Sequence, residues 1–210
     1  MMTRSVGLAL KRLADILISV MLLVLLAPVF LAVAMAIRLA GPGLVIFRQR
    51  RPGLHGKPFT VLKFRTMTDA RDAEGRLLPD AQRLTRLGRF LRSSSLDELP
   101  QLWNVLKGEM SLIGPRPLLI RYLPYYSQRE RKRFDMRPGM TGLAQVRGRN
   151  NLSWDERLAL DTEYVERYSL ALDLEILLLT PLKVLRRENV QVAPSATTLS
   201  LDEEREHAKS

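Results

Sequence analysis

Two adjacent acidic residues, Asp97 and Glu98, lie in a setting that suits catalytic or metal-binding carboxylates. They follow three serines at the predicted start of a helix, and Arg89 and Arg92 lie one to two helical turns upstream. A carboxylate kept ionised by a helix N-terminus and nearby arginines is a usable nucleophile or metal ligand. Because adjacent helical residues diverge by about 100°, the two acids should have different tasks. We expect one to attack and the other to hold Mg²⁺.

A purely structural interpretation of the same residues competes with this one. Ser95 and Glu98 have the spacing of a capping box, and acids are common in the first turn of a helix because they complement its dipole. Spacing alone leaves both interpretations open, and the surrounding cations favour the chemical one.

Three further segments have the composition of phosphate-binding sites. Lys63 and Arg65 end a predicted strand, and Arg116 lies between two prolines whose backbone is restricted. A third segment, 137–150, combines cations with glycines that allow close backbone approach. Each segment alone is weak evidence, because arginine on a solvated surface is common. Neither a Walker A motif nor a Rossmann fingerprint is present, so the usual nucleotide folds are not indicated.

The overall charge restricts the class of partner. The 210 residues include 33 Lys and Arg against 22 Asp and Glu, a formal charge of +11, so the partner is nucleic acid, anionic lipid or a phosphorylated substrate. Aromatic residues make up only 6% of the chain, which argues against a membrane-tethered nucleic-acid binder because such proteins stack bases on aromatic rings. A non-catalytic anchor that holds anionic lipid would leave the paired carboxylates unexplained.

The chain contains no cysteine and only two histidines, His55 and His207. These facts exclude thiolate catalysis and Cys-ligated zinc and make a histidine zinc site implausible. We therefore expect any metal to be bound by oxygen, as Mg²⁺ or Mn²⁺ is.

An uncharged apolar segment near the N-terminus predicts a membrane element. It runs from Ile16 to Ile37, and at about 1.5 Å per residue it is long enough to cross a hydrocarbon core of about 30 Å. Pro28 interrupts it and should kink the helix. The flanking cations before and after the segment are Arg4, Lys11 and Arg12, then Arg38, Arg48, Arg50 and Arg51. Since both ends are basic, a re-entrant hairpin and a kinked single span both remain open.

The remaining pattern predicts a mostly α fold with a small β-hairpin. Strands are expected at 44–48 and 59–65, followed by a surface loop at 66–82. Helical periodicity predicts helices at 84–91, 96–106, 118–134, 154–168 and 172–187, with an irregular segment at 136–150. The last of these helices is leucine-rich on nearly all sides, so it should be deeply buried or lie at a membrane interface. From Glu188 onward the composition is that of a disordered polar tail.

Together these motifs closely resemble the small monotopic bacterial phosphoglycosyl transferases, which start glycan assembly on undecaprenyl phosphate. The resemblance runs from Lys11 to Arg187. The motifs that carry it are Lys63-Phe64-Arg65-Thr66-Met67, Arg92 with Ser95-Leu96-Asp97-Glu98-Leu99-Pro100-Gln101, Lys107-Gly108-Glu109-Met110-Ser111-Leu112-Ile113-Gly114-Pro115-Arg116-Pro117 and Arg137-Pro138-Gly139-Met140-Thr141-Gly142-Leu143-Ala144-Gln145-Val146.

The resemblance implies a two-step reaction. Asp97 attacks the β-phosphate of a UDP-sugar and releases UMP, Glu98 binds Mg²⁺, and undecaprenyl phosphate then accepts the phosphosugar for downstream glycosyltransferases to extend. The implied substrate-binding residues are Lys63, Arg65, Arg89, Arg92, Arg116, Arg137, Thr141, Gln145, Arg147 and Asp161.

The resemblance also implies an architecture and a location. Residues 1–40 would form a re-entrant membrane helix broken at a Ser-Pro pair, in which Pro28 matches but Ala27 replaces the serine. Residues 41–187 would form a compact α/β catalytic domain with interfacial amphipathic helices, on the cytoplasmic face of the bacterial inner membrane. Residues 188–210 would be a polar tail. Within the family, the loop 71–80 and Gly148-Arg149-Asn150 resemble the subgroup that transfers phospho-N,N′-diacetylbacillosamine in protein N-glycosylation.

Overall fold

The computed structural model describes residues 4–148, 151–185 and 199–207. Helices dominate this part of the chain, and two pairs of short strands accompany them. In chain order the helices and strands are α1 (Arg4–Leu25), α2 (Ala27–Leu39), β1 (Ile46–Pro52), β2 (Pro58–Phe64), α3 (Asp80–Arg83), α4 (Arg86–Ser93), α5 (Gln101–Lys107), β3 (Ser111–Ile113), β4 (Gly139–Thr141), α6 (Leu143–Arg147), α7 (Trp154–Glu166), α8 (Leu170–Leu185) and α9 (Leu201–His207).

The apolar N-terminal segment is broken where Pro28 predicts. Helices α1 and α2 are bent by 61° relative to each other, and Pro28 lies in the first turn of α2, where its missing N–H costs no internal hydrogen bond. No single helix among the described residues is long and apolar enough to cross a membrane, although the bent pair together meets the length and composition requirement.

Polar contacts fix the first half of α1 to the rest of the protein. The Lys11 ammonium lies 2.8 Å from the Asp173 carboxylate of α8, and the Asp15 carboxylate accepts a hydrogen bond from the Leu112 amide at 3.0 Å. Arg12 donates to two carbonyls at the end of α5, at 2.6 and 2.8 Å. Helix α1 therefore combines an anchored half with the apolar half that follows it.

Strands β1 and β2 form the predicted antiparallel hairpin, with Ile46 opposite Phe64 and Pro52 opposite Pro58. The first strand extends four residues beyond the predicted end at residue 48. Val61 and Phe64 are buried, which fixes the hairpin against the core. Its connecting turn places His55 at φ 54° and Gly56 at φ 72°, backbone angles that favour glycine.

The segment 136–150 is not wholly irregular, contrary to the prediction. Strand β4 pairs in parallel with β3, and α6 follows directly. Three-residue strands are too short to show a period in the sequence. Their close approach depends on glycine, because a Cβ on Gly139 would lie 2.1 Å from the amide nitrogen of Gly114.

The helix predicted at 118–134 is also wrong. The structure has two 3₁₀ segments, Ile120–Tyr125 and Glu130–Asp135, separated by an extended break. Pro124 lies inside the first of them, and proline cannot donate the hydrogen bond that an α-helix needs there. The apolar spacing that suggested a helix instead places Tyr122 and Phe134 in a buried cluster.

The disorder predicted from Glu188 onward is wrong for residues 199–207. Helix α9 buries Leu201 completely in a cluster that includes Leu118 and Leu158. The Trp154 indole also donates to the carbonyl of Leu199 at 3.0 Å. Residues 186–198 and 208–210 lie outside the described part of the chain.

Candidate active site

The Asp97–Glu98 pair lies in a short turn that directly follows α4. Thr85 caps α4 by accepting a hydrogen bond from the Gly88 amide at 2.8 Å. After α4 ends, Ser95 adopts a left-handed conformation, φ 57°, and the 3₁₀ turn Leu96–Glu98 follows. The side chain of Ser95 makes no capping hydrogen bond. The competing capping-box interpretation therefore does not describe these residues.

Glu98 is held by two cations. Lys63 donates to Oε1 at 2.7 Å, and Arg116 donates to both carboxylate oxygens, with its contact to Oε2 at 3.3 Å. Burial alone would raise the pKa of Glu98, but the charges and hydrogen bonds of Arg116 and Lys63 more than offset burial and lower that pKa well below its usual range. Glu98 is therefore an ionised carboxylate in a fixed position.

Asp97 has the opposite electrostatic character. It is 8% exposed, and burial, reinforced by the neighbouring charge of Glu98, raises its pKa to about 6, while Lys63, Arg116 and Arg92 act in the lowering direction. Among the described residues, no side chain or amide donates a hydrogen bond to its carboxylate. At neutral pH this group is mostly ionised and is not engaged by a donor from the described residues, the state expected of a nucleophile.

The backbone of Arg116, the arginine between two prolines, is held in place by the buried side chains of Arg133 and Asp161. The Arg133 guanidinium donates to the Arg116 carbonyl at 2.6 Å and to the Asp161 carboxylate at 2.7 Å, and the Arg133 and Asp161 side chains are each only 2% exposed. Asp161, predicted to bind substrate, is therefore placed beneath the site rather than on its surface. Its contacts indicate that it positions Arg133 and thereby the Arg116 backbone.

Of the other predicted site residues, Arg92 lies close to the pair. It donates to the Thr66 hydroxyl at 3.1 Å. Burial lowers the pKa of Arg92 overall, and the charge of Asp97 acts against that shift. Arg65 instead binds the carbonyls of Gly41 and Pro42, directly after α2. Arg89 is exposed on α4.

The described members of the predicted set in 137–150 make their side-chain contacts with groups other than Asp97 and Glu98. Arg137 donates to the carbonyl of Gly108 at 2.8 Å, and Arg147 lies 3.6 Å from Glu163. The hydroxyls of Thr141 and Thr180 are 2.9 Å apart. Both polar atoms of the Gln145 side chain are buried without a hydrogen-bond partner among the described residues. Arg149 and Asn150 lie outside the described part of the chain.

One basic residue near the site was missed from the sequence. Arg51, at the end of β1, interacts electrostatically with both Arg116 and Glu98. In the sequence it appeared only as one of the cations that flank the apolar segment. The alternation of side chains along β1 was the signal that could have separated Arg51 from Arg48 and Arg50.

The carboxylate oxygens of Asp97 and Glu98 could bind a magnesium ion whose remaining ligands come from the substrate. A carboxylate offers about four lone-pair positions, and the hydrogen bonds from Lys63 and Arg116 occupy three of those on Glu98. No group of three acidic, histidine or cysteine side chains that could hold a metal ion occurs among the described residues. Mg²⁺ usually takes one or two carboxylates and completes its shell with water and substrate phosphates, so the residues fit.

The known proteins to which this chain is similar are sugar transferases of bacteria. Bacterial sugar transferase is the family that matches residues 6–187. The uncharacterized sugar transferase EpsL of Bacillus subtilis is 53% identical over 87% of this chain and 90% of its own length. The UDP-glucose:undecaprenyl-phosphate glucose-1-phosphate transferase of Caulobacter vibrioides is 45% identical over 85% of this chain and 71% of its own length. The Escherichia coli protein of the same name is 39% identical over 83% of this chain, but only 40% of its own length is covered.

Proposed function

The chain belongs to the bacterial sugar transferase family, and from that premise we propose that it transfers a phosphosugar from a UDP-sugar to undecaprenyl phosphate and releases UMP. Relatives that match most of this chain are named for this reaction with UDP-glucose. The observation that carries the proposal is the Asp97–Glu98 pair, in which adjacent carboxylates have pKa values shifted in opposite directions. Two carboxylates separated in this way suit two different roles.

We propose that Asp97 is the nucleophile. Its carboxylate oxygen forms a bond to the β-phosphorus of the donor, the bond from that phosphorus to the bridging oxygen breaks, and UMP leaves with the electron pair. An oxygen of undecaprenyl phosphate then attacks the same phosphorus and releases Asp97. A covalent intermediate separates the encounter with a water-soluble donor from the encounter with a lipid acceptor.

The residues around Asp97 have roles that follow from their contacts. Lys63 and Arg116 are fixed on Glu98, and their remaining N–H groups are available to the phosphate oxygens, on which charge increases during transfer. Mg²⁺, bound by Glu98 and the donor phosphates, would add to that neutralisation. Arg133 and Asp161 hold the Arg116 backbone in place.

Two observations bear on the identity of the sugar, and they indicate different donors. The loop 71–80 predicts a donor such as UDP-N,N′-diacetylbacillosamine, whereas the names of two relatives specify UDP-glucose. The bacillosamine assignment stays a prediction. Both donors belong in the same assay, together with UDP-galactose and UDP-N-acetylglucosamine.

We propose that the bent pair α1–α2 enters the inner membrane from the cytoplasmic side and returns to it. Support comes from the 61° bend and from exposed leucines at positions 174, 178 and 182, which form a stripe on α8 beside it. Cysteines placed at Ser5 and Ser200 should both be protected from an impermeant thiol reagent in intact spheroplasts and labelled after lysis. Labelling of Ser5→Cys before lysis would show that the segment spans the bilayer.

The test of the function is turnover by the purified chain with undecaprenyl phosphate, Mg²⁺ and a panel of UDP-sugars. We expect UMP release with one preferred donor, its loss in EDTA, and its loss in Asp97→Asn, because the amide cannot act as the nucleophile. Asp135→Asn, at an exposed carboxylate, is the matched control and should keep full activity. If the wild-type chain released no UMP and bound DNA, RNA or anionic vesicles alone, it would be a nucleic-acid binder or an anchor instead.

A further inference from the structure

Arg51 lies on the face of the β-hairpin that carries Lys63 to Glu98. Lys63 is opposite Phe47 in the antiparallel pair, and residues that are opposite each other project from the same face. Arg51 is four residues beyond Phe47, an even number, so it projects from that face too. Arg48 and Arg50 project from the other face and are exposed. Arg51 therefore lies on the same face of the hairpin as Lys63, whereas Arg48 and Arg50 lie on the opposite face.

The half-buried Arg51 side chain has little compensation for its charge. Its guanidinium donates to the neutral Gln49 side chain at 2.6 Å. Among the described residues, Arg51 forms no ion pair. Burial, followed by repulsion from Arg116, lowers its pKa to about 10, so it remains a cation at physiological pH. A half-buried cation next to a second guanidinium is a place where an anion gains binding energy.

The charges around the Asp97–Glu98 pair also leave room for an anion. Four cations, Lys63, Arg92, Arg116 and Arg51, interact with the Asp97–Glu98 pair. The other carboxylates near Arg92 and Arg116 are Asp80 and Asp161, and each of these is paired with a further arginine. The local surplus is therefore two positive charges. Pro52 and Gly53, directly after Arg51, line a small cleft that Arg116 also lines. The surplus charge therefore borders a concave surface at the end of β1.

We propose that Arg51 binds the phosphate of the nucleotide donor that departs with UMP. This inference rests on the proposed function, in which Asp97 contacts the β-phosphate. Lys63 and Arg116 lie at Glu98, whereas Arg51 is about 13 Å from Lys63 along the hairpin, at about 3.3 Å per residue. The Arg51 side chain nonetheless interacts with the charges of Arg116 and Glu98. Because the α- and β-phosphates share one bridging oxygen, an α-phosphate joined to a β-phosphate at Asp97 would lie among these groups. Gln49 is the positioning residue that orients the guanidinium.

The chain supplies a matched control for testing this assignment. Arg51→Gln and Arg50→Gln remove the same charge from neighbouring positions of one strand, but from opposite faces. Binding of UMP and of uridine to the full-length, detergent-solubilised protein is measured for each variant by calorimetry, with uridine measured by competition. Because uridine lacks the phosphate, it reports on damage to the rest of the site.

We expect Arg51→Gln to weaken UMP binding roughly tenfold or more, the size expected for loss of a charged hydrogen bond, with uridine binding unchanged. Arg50→Gln should change UMP binding less than twofold, and Arg51→Lys should restore part of the loss. In turnover, Arg51→Gln should raise the KM for the donor.

Two results would overturn the assignment: equal weakening of UMP binding by Arg50→Gln and Arg51→Gln, or parallel loss of UMP and uridine binding in an Arg51→Gln variant whose circular dichroism and Tm match the wild type. The first would show only an effect of overall charge, and the second would show that Arg51 supports the whole nucleotide site and does not bind the phosphate specifically. If the wild-type chain transfers no phosphosugar but its UMP binding still depends on Arg51, the proposed function fails while the phosphate site stands.

Discussion

Two clusters in this protein contain similar residue types but use them differently. The catalytic cluster comprises Asp97, Glu98, Lys63 and Arg116, and the anchor cluster comprises Lys11, Asp15, Tyr164 and Asp173. Each contains two carboxylates and at least one cation. They differ in how completely their polar atoms are satisfied.

In the anchor cluster both carboxylates have close partners. Asp173 receives the Lys11 ammonium at 2.8 Å and the Tyr164 hydroxyl at 2.7 Å, and Asp15 receives the Leu112 amide. In the catalytic cluster, Glu98 is satisfied in the same way, whereas Asp97 has no hydrogen-bond donor among the described residues. Keeping Asp97 ionised in this largely buried position costs stability, and such a cost is a common sign of a functional site.

The largest effect should come from breaking the anchor cluster. Lys11→Met leaves Asp173 buried without its counter-ion, and removal of one partner of a buried pair typically costs about 3–5 kcal/mol. We expect a large fall in Tm, measured by circular dichroism in detergent. The double variant Lys11→Met with Asp173→Leu should recover much of that loss, since it also removes the buried carboxylate that Lys11 neutralised, while Asp15 keeps its hydrogen bond from the Leu112 amide. A double variant no more stable than Lys11→Met would show that the pair is not the source of the effect.

In the catalytic cluster, removing the charge of the Asp97 carboxylate should stabilise the fold. Because the folded protein raises the pKa of Asp97 from 3.8 to about 6, the folded state binds the proton more tightly, and stability is lost as pH rises through that interval. Asp97→Asn removes this penalty. It should be more stable than the wild type by up to about 3 kcal/mol at pH 7, at 1.36 kcal/mol per pKa unit, with the difference vanishing near pH 3.

The matched variant is Asp173→Asn, which should be less stable than the wild type at pH 7 because Lys11 loses its counter-ion. Unfolding curves of both variants across pH give the comparison directly. If both substitutions destabilised the protein at neutral pH, the two clusters would not differ in the way described.

The sequence predicts the catalytic cluster better than the anchor cluster, and the reason is physical. Asp97, Glu98 and Arg116 lie in short local motifs whose composition is unusual. Lys11 and Asp173 are separated by 162 positions, and nothing local shows that they meet. The same limit applies to Arg51, whose role depends on strand register, and to the short β3–β4 pair, which depends on the contact between Gly114 and Gly139.

A smaller effect should appear in the pH dependence of the reaction. Release of UMP in a single turnover should rise with pH around a midpoint near 6, as Asp97 loses its proton. The charge of Glu98 raises the pKa of Asp97, and Lys63 and Arg116 would no longer be held by that charge in Glu98→Gln. The acidic midpoint of this variant should therefore move to lower pH, while that of Asp135→Asn should not. An unmoved midpoint in Glu98→Gln would contradict the coupling of the two carboxylates.

The most direct test of the nucleophilic role of Asp97 omits the lipid acceptor. Wild-type protein mixed with its UDP-sugar and Mg²⁺ should release about one UMP per active site and then stop. Intact-protein mass spectrometry should show an added phosphosugar, located on the peptide that contains Asp97, and Asp97→Asn should show neither signal. If wild-type protein released no UMP until undecaprenyl phosphate was added, and never carried the added mass, transfer would be direct and Asp97 would not be the nucleophile.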